Sequence, residues 1–152
     1  MNYSAARQRK DGRWDWTRNG HADGYCYAWK EWGDEQVARV FGSGERARER
    51  YEEFAKPYRA AAAAGKFHDT GHETKEEAVA CHKAFELDFN LRVREDDPEA
   101  RSQHRCRFPG CNAWTSGYVQ IGAYCIIQLC ADHRTREAVE QVYQHGDQRW
   151  DS

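Results

Sequence analysis

Cys106-Arg-Phe-Pro-Gly-Cys111 and Leu129-Cys130-Ala-Asp-His133 are the two stretches on which the reading of this chain turns. Together they form the pattern C-x4-C-x18-C-x2-H. Zn2+ asks for four soft or borderline ligands at tetrahedral corners, and two short-spaced pairs on separate backbone segments supply them. Pro109 and Gly110 provide a fixed φ and a permissive residue, as a loop must if both thiolates are to face one ion. The expected ligands are Cys106, Cys111, Cys130 and His133, and the expected cofactor is zinc. A rival set replaces His133 with Cys125, as C-x4-C-x13-C-x4-C. It ranks second because Cys125 stands beside Ile126 and Ile127, where a buried thiol is ordinary.

Around these pairs, Ala113 to Leu129 holds two β-rich runs about Gly117 and Gly122, and Thr135 to Gln144 carries Ala138, Val139, Val142 and Tyr143 at helical spacing. The order is knuckle, hairpin, helix. A unit of under about fifty residues buries too little to hold itself together, so the metal would contribute folding free energy. Four protein ligands would leave it no open position for chemistry.

Upstream, Trp14 and Trp16 alternate with Asp15, and Tyr25, Tyr27 and Trp29 alternate with Cys26, Ala28 and Lys30, with Arg18-Asn19-Gly20 and Asp23-Gly24 turn signals between. The pattern predicts an aromatic-faced β-hairpin. Gln36 to Phe41 is expected as a third strand, although the same residues could start a helix. After Ser43 as N-cap, Ala47, Tyr51, Phe54 and Tyr58 recur at helical spacing up to Gly65, with a kink or restart at Pro57. Residues 66–71 read as a short strand or loop. Thr74-Lys-Glu-Glu77 is a capping box opening a second helix, with a buried stripe of Ala78, Cys81 or His82, Phe85 and Phe89.

Arg94 to Arg105 is polar and contains Asp96-Asp97-Pro98-Glu99, which marks the expected boundary. The sequence thus predicts an α+β fold: a domain over 1–94 with an aromatic hairpin or three-stranded sheet and two helices, a linker over 95–105, and a zinc-binding module over 106–146.

Composition narrows the class of function. With 39% hydrophobic, 13% aromatic and 32% charged residues of mixed sign, the 152-residue chain is that of a folded protein with a core. Met1 to Arg13 is polar and basic with no apolar h-region, and no run approaches the roughly 18 apolar residues that span a membrane, so a cytoplasmic protein is expected. In a reducing compartment the six cysteines, four of them between Cys106 and Cys130, point to metal rather than disulfides. A net charge of −2 gives no footprint for strong non-specific nucleic-acid binding. Arginine outnumbers lysine 17 to 6, the usage of a GC-rich genome.

Three weaker signals accompany these. His68, His72, Cys81 and His82, with Cys26, could form a second metal site, against the alternative of hydrogen-bonded or exposed histidines and core cysteines. Trp14, Trp16, Tyr25, Tyr27 and Trp29 could form a binding face that stacks single-stranded nucleic acid beside Arg13 or Arg18, against the more ordinary reading as core beneath a helix. The Arg and Glu of Glu45 to Glu53 read as a solvated helix face.

The knuckle, hairpin and helix-borne second pair resemble a treble-clef zinc finger, and Cys106 to Cys111 with Leu129-Cys130-x-x-His133 resembles the zinc frame of HNH nucleases. That family also carries an Asp-His pair on the intervening hairpin, its histidine the general base, whereas no histidine lies between Cys111 and Cys130 here. Asp132-His133 comes too late to replace it. Asp69-Thr-Gly-His72-x-Thr74-x-Glu-Glu-Ala78, with Cys111, Trp114-Thr115, Leu129-Cys130 and His133-Arg-Thr135, resembles small proteins of actinobacteria and their phages. The strands followed by Thr-x-Glu-Glu-Ala faintly resemble integrase arm-binding domains, which read duplex DNA with a three-stranded sheet. The expectation is a non-enzymatic, zinc-stabilised binding or adaptor protein of bacterial or phage origin, with a host protein or nucleic acid as partner and no small-molecule substrate. The alternatives are a divergent HNH-like metal-dependent nuclease and a sheet-based DNA-binding protein.

Overall fold

The computed structural model describes residues 4–18, 21–122 and 125–143. The fold is α+β, with four α-helices among small antiparallel sheets in the described residues. Strands β1 (Ser4–Gln8), β2 (Trp14–Arg18) and β3 (His21–Asp23) form the first sheet in that order. The third strand is therefore β1 rather than 36–41, and it pairs with β2 from Ser4↔Arg18 to Gln8↔Trp14. Asp11-Gly12 makes the turn between them, with Gly12 at φ 88°. The Asn19-Gly20 signal lies outside the described residues.

Tyr25 and Cys26 fall in a 3-10 turn, Gly24–Cys26, and not on a hairpin strand. Their chain alternation reflects an irregular run leading to α1 (Asp34–Phe41). Residues expected as a strand are helical there because Asp34 and Glu35 favour a helix N-terminus, while Val37 and Phe41, one helical turn apart, pack with Trp32, Tyr51, Ala55 and Phe54.

Helix α2 (Glu45–Ala63) starts after Gly44, not Ser43, and passes through Pro57 without a restart. Pro57 is exposed, as is Glu53, whose carbonyl is the one that loses a helical donor. At α3 (Lys75–Phe89) the Thr74 hydroxyl accepts from Glu77 N at 3.2 Å, and the Glu77 carboxylate accepts from Glu73 N at 3.2 Å, one residue before the cap. Phe85 and Phe89 join Tyr25, Tyr58 and Phe67 in an aromatic cluster, with Tyr58 stacked on Phe89 at 4.3 Å and 3°.

Strand β4 (Leu91–Arg94) leads into the C-terminal half and pairs with β7 (Tyr118–Ile121), which pairs with β8 (Cys125–Gln128). A short hairpin, β5 (His104–Arg105) with β6 (Trp114–Thr115), lies before it. A 3-10 turn (Ala131–His133) and α4 (Arg136–Val142) complete the described chain. The largest core comprises Val119, Ile121, Ile127, Leu129, Val139, Tyr143 and Cys106 with Leu87 of α3. Hydrogen bonding and packing thus cross the 95–105 segment, through β4 and Leu87. Within that segment, Asp96 accepts from the Thr115 hydroxyl at 2.6 Å and from Gly117 N at 2.9 Å.

Among the described residues no helix is long and apolar enough to cross a membrane.

Candidate metal centre

The knuckle is built locally. Cys111 N donates to Phe108 O at 3.0 Å across a turn in which Gly110 takes φ 81°, a conformation that favours glycine. Two backbone bonds then dock it on the hairpins: Cys106 N to Ala113 O at 2.8 Å and Arg107 N to Gln128 O at 2.9 Å. On the other side, His133 N donates to Cys130 O at 2.9 Å, closing the 3-10 turn that turns both side chains the same way. Phe108 lies flat on the His133 ring, 4.0 Å between centroids and 6° apart, and so orients it.

These bonds bring the ligand atoms of Cys106, Cys111, Cys130 and His133 within 4.8 Å of one another. His133 Nδ1 is 3.2 Å from Cys130 Sγ and 3.5 Å from Cys106 Sγ, and Cys111 Sγ is 3.9 Å from Cys130 Sγ. Zn–S bonds of about 2.3 Å and Zn–N bonds of about 2.0–2.1 Å at tetrahedral angles separate two sulfurs by about 3.8 Å and sulfur from nitrogen by about 3.6 Å. The residues therefore fit a metal of that kind. Cys125 is not in the group: it sits on β8 opposite Ile121 and packs on the core.

Burial opposes ionisation of the Cys106 thiol, but the backbone groups of Cys130 and Phe108, with His133 and Cys111, outweigh it and hold it down at about 7. Burial, with Cys106 and Cys111 beside it, pushes Cys130 up. A metal ion held here would supply positive charge that favours ionisation of the thiols.

Sequence reasoning passed over the residues that brace this site. The Arg134 guanidinium is buried, donating to Leu129 O at 3.3 Å and Asp96 at 3.2 Å. It occupies the space beside Gly117, where an added Cβ would lie 1.5 Å from Arg134 Nη1. A legible signal was the glycine between β-rich runs; its partner was not.

The remaining candidates are dispersed or regrouped. Of the five aromatics proposed as a face, Trp16 and Tyr25 are buried, Trp14 and Trp29 are half-buried, and Tyr27 is exposed. They do not share one open surface. His68, His72 and Cys81 do meet, and their fourth neighbour is Cys26. His82 belongs elsewhere: fully buried, it packs on Trp16 at 4.3 Å with Nε2 3.1 Å from Glu86.

Compared with protein-family models, curated proteins and solved structures, the chain has no match in any of the three.

Proposed function

We propose that this is a non-enzymatic binding protein whose C-terminal unit is a treble-clef-like module held by zinc at Cys106, Cys111, Cys130 and His133. The observation that carries the reading is the closed donor set: four protein atoms converge with tetrahedral spacing, and the hairpin between the pairs bears no histidine to act as a base. The knuckle, hairpin and helix order supports the module type. Zinc supplies folding free energy there when bound, and the residues around it orient one another.

The surface that the module presents is the sheet face turned away from the core. Val93, Val119 and Ile127 are aligned across β4, β7 and β8, with Val119 and Ile127 buried, so the alternate residues Arg92, Gln120 and Ile126, and Arg94, Tyr118 and Gln128, lie on the opposite face. Arg92, Arg94 and Ile126 are exposed. Guanidinium groups beside aromatic and amide side chains suit phosphate or carboxylate partners, so a nucleic acid and an acidic protein surface share the chemistry.

The test is a pull-down with the full tagged chain from a GC-rich actinobacterial lysate, with nucleic acid digested in a parallel sample. A partner retained by wild type and lost with Arg92→Glu/Arg94→Glu supports the reading; loss on digestion assigns nucleic acid, persistence assigns protein. Divalent-metal-dependent cleavage of DNA or RNA by the purified chain would overturn it in favour of a nuclease.

A further inference from the structure

We infer that Cys26, His68, His72 and Cys81 form a second, structural zinc site that staples the N-terminal half of the chain. The four residues come from the 3-10 turn, the loop between α2 and α3, and α3 itself, and their ligand atoms all lie within 4.8 Å of one another. Cys26 Sγ and Cys81 Sγ are 3.7 Å apart, against the about 3.8 Å that tetrahedral zinc imposes on two thiolates. His68 Nε2 is 3.8 Å from Cys81 Sγ, and the His68 and His72 rings stand at 87° with centroids 4.9 Å apart. Two imidazoles converge on the pair of sulfurs without stacking on each other.

Backbone structure holds the donors there. His68 N donates to Tyr25 O at 2.8 Å, which fastens the loop to the turn bearing Cys26. His72 and Trp14 exchange two backbone bonds of 2.7 Å, which fasten the same loop to β2. Two glycines permit the close approach. A Cβ on Gly71, at φ 73°, would meet Trp14 O at 3.1 Å and Arg13 Cβ at 3.2 Å, and one on Gly24, at φ 79°, would meet His82 Cα at 3.3 Å.

A separate observation points to a ligand. His72 Nε2 is buried with no hydrogen bond of ordinary geometry, and the group that the His72 ring interacts with is the Cys81 thiol, another of the four donors. A metal ion accepts that lone pair. Among the described residues the buried apolar cluster around Trp16 holds Val79, with Ala6 partly buried against it, so a cross-link between turn, loop and helix reinforces a small core at that place. Four protein ligands close the coordination sphere, so the site is structural.

Elemental analysis of single variants separates this site from the C-terminal one, whose donors are different residues. Full-length protein purified under reducing conditions from zinc-supplemented cells should carry two zinc ions per chain by elemental analysis. Cys81→Ser and His72→Ala should each lose one ion, while Cys81→His, which restores a ligand, should keep both. Because the first two variants can fail to fold, wild type is also alkylated before and after chelation: Cys26 and Cys81 should be protected until the metal is removed. A wild type whose only zinc is lost in Cys130→Ser, or a Cys26–Cys81 disulfide found by mass spectrometry in the reduced preparation, would overturn the inference.

Discussion

Arg136 Nε of α4 donates to Oδ1 of Asp88 in α3 at 2.8 Å, joining the helix that follows the second ligand pair to the helix that precedes the first sheet strand of the C-terminal half. The other carboxylate oxygen accepts from the Tyr25 hydroxyl at 2.6 Å and from Lys66 Nζ at 3.3 Å. Burial works against the charge on Asp88, yet the bonds from Tyr25, Arg136 and Lys66 outweigh it and hold the carboxyl below its ordinary value. A depressed carboxyl contributes stability that is present above the unfolded pKa of about 3.9 and is lost as pH falls through the folded value. Asp88→Asn should therefore lower stability at pH 7 by about 1–3 kcal/mol, as for loss of charge-assisted bonds in a half-buried place, and should flatten the fall in stability below about pH 4. Urea melts at neutral and acid pH check this; an unchanged acid limb would remove Asp88 from the account.

Metal dependence separates the two ligand sets read from the sequence. Cys130→Ser and His133→Ala should each lose the C-terminal zinc, and Cys125→Ala should keep it, because Cys125 lies in the sheet register opposite Ile121 and outside the donor group. Elemental analysis decides it. Retention by His133→Ala with loss in Cys125→Ala would restore the four-cysteine set.

Gly117→Ala is expected to be far more damaging than a surface alanine. The new methyl would collide with Arg134 Nη1 and with Arg94 O, for which the ideal Cβ position is 2.8 Å away. Displacing a buried guanidinium from Leu129 O and Asp96 leaves a charge without its partners, at a cost of roughly 3–5 kcal/mol. Thermal unfolding measures it, and a shift within about 0.5 kcal/mol of wild type, the range of ordinary surface substitutions, would contradict the packing described.

The 95–105 segment can be tested by protease. Residues 101–103 are exposed, so trypsin should cut after Arg101 before it cuts within α2 or α3. The pieces should stay together on size exclusion, because β4 hydrogen-bonds to β7 and Leu87 lies in the C-terminal core. Separation of the fragments without denaturant would instead support independent units divided at 95–105.

What the sequence by itself determined is what depends on near neighbours. The spacing of Cys106, Cys111, Cys130 and His133, the Thr74 and Thr135 helix starts, the α2 periodicity and the β7–β8 hairpin are all written in short windows, where turn geometry and capping act. The tertiary structure alone decided what depends on distant partners. Ser4–Gln8 has no apolar alternation and becomes a strand because β2 offers it an edge. Trp14 to Trp29 alternate as a hairpin would, but burial of Trp16 and Tyr25 against α3 divides them between a strand and a turn. Of the two residues the sequence offered beside His68, His72 and Cys81, Cys26 joins the group and His82 does not, because a 3-10 turn closely packed on α3 through Gly24 carries Cys26 to the other donors while Trp16 and Glu86 hold the His82 ring elsewhere. Spacing along a chain specifies which ligands can share one turn; only the packing of turn on helix specifies which ligands from different segments can share one ion.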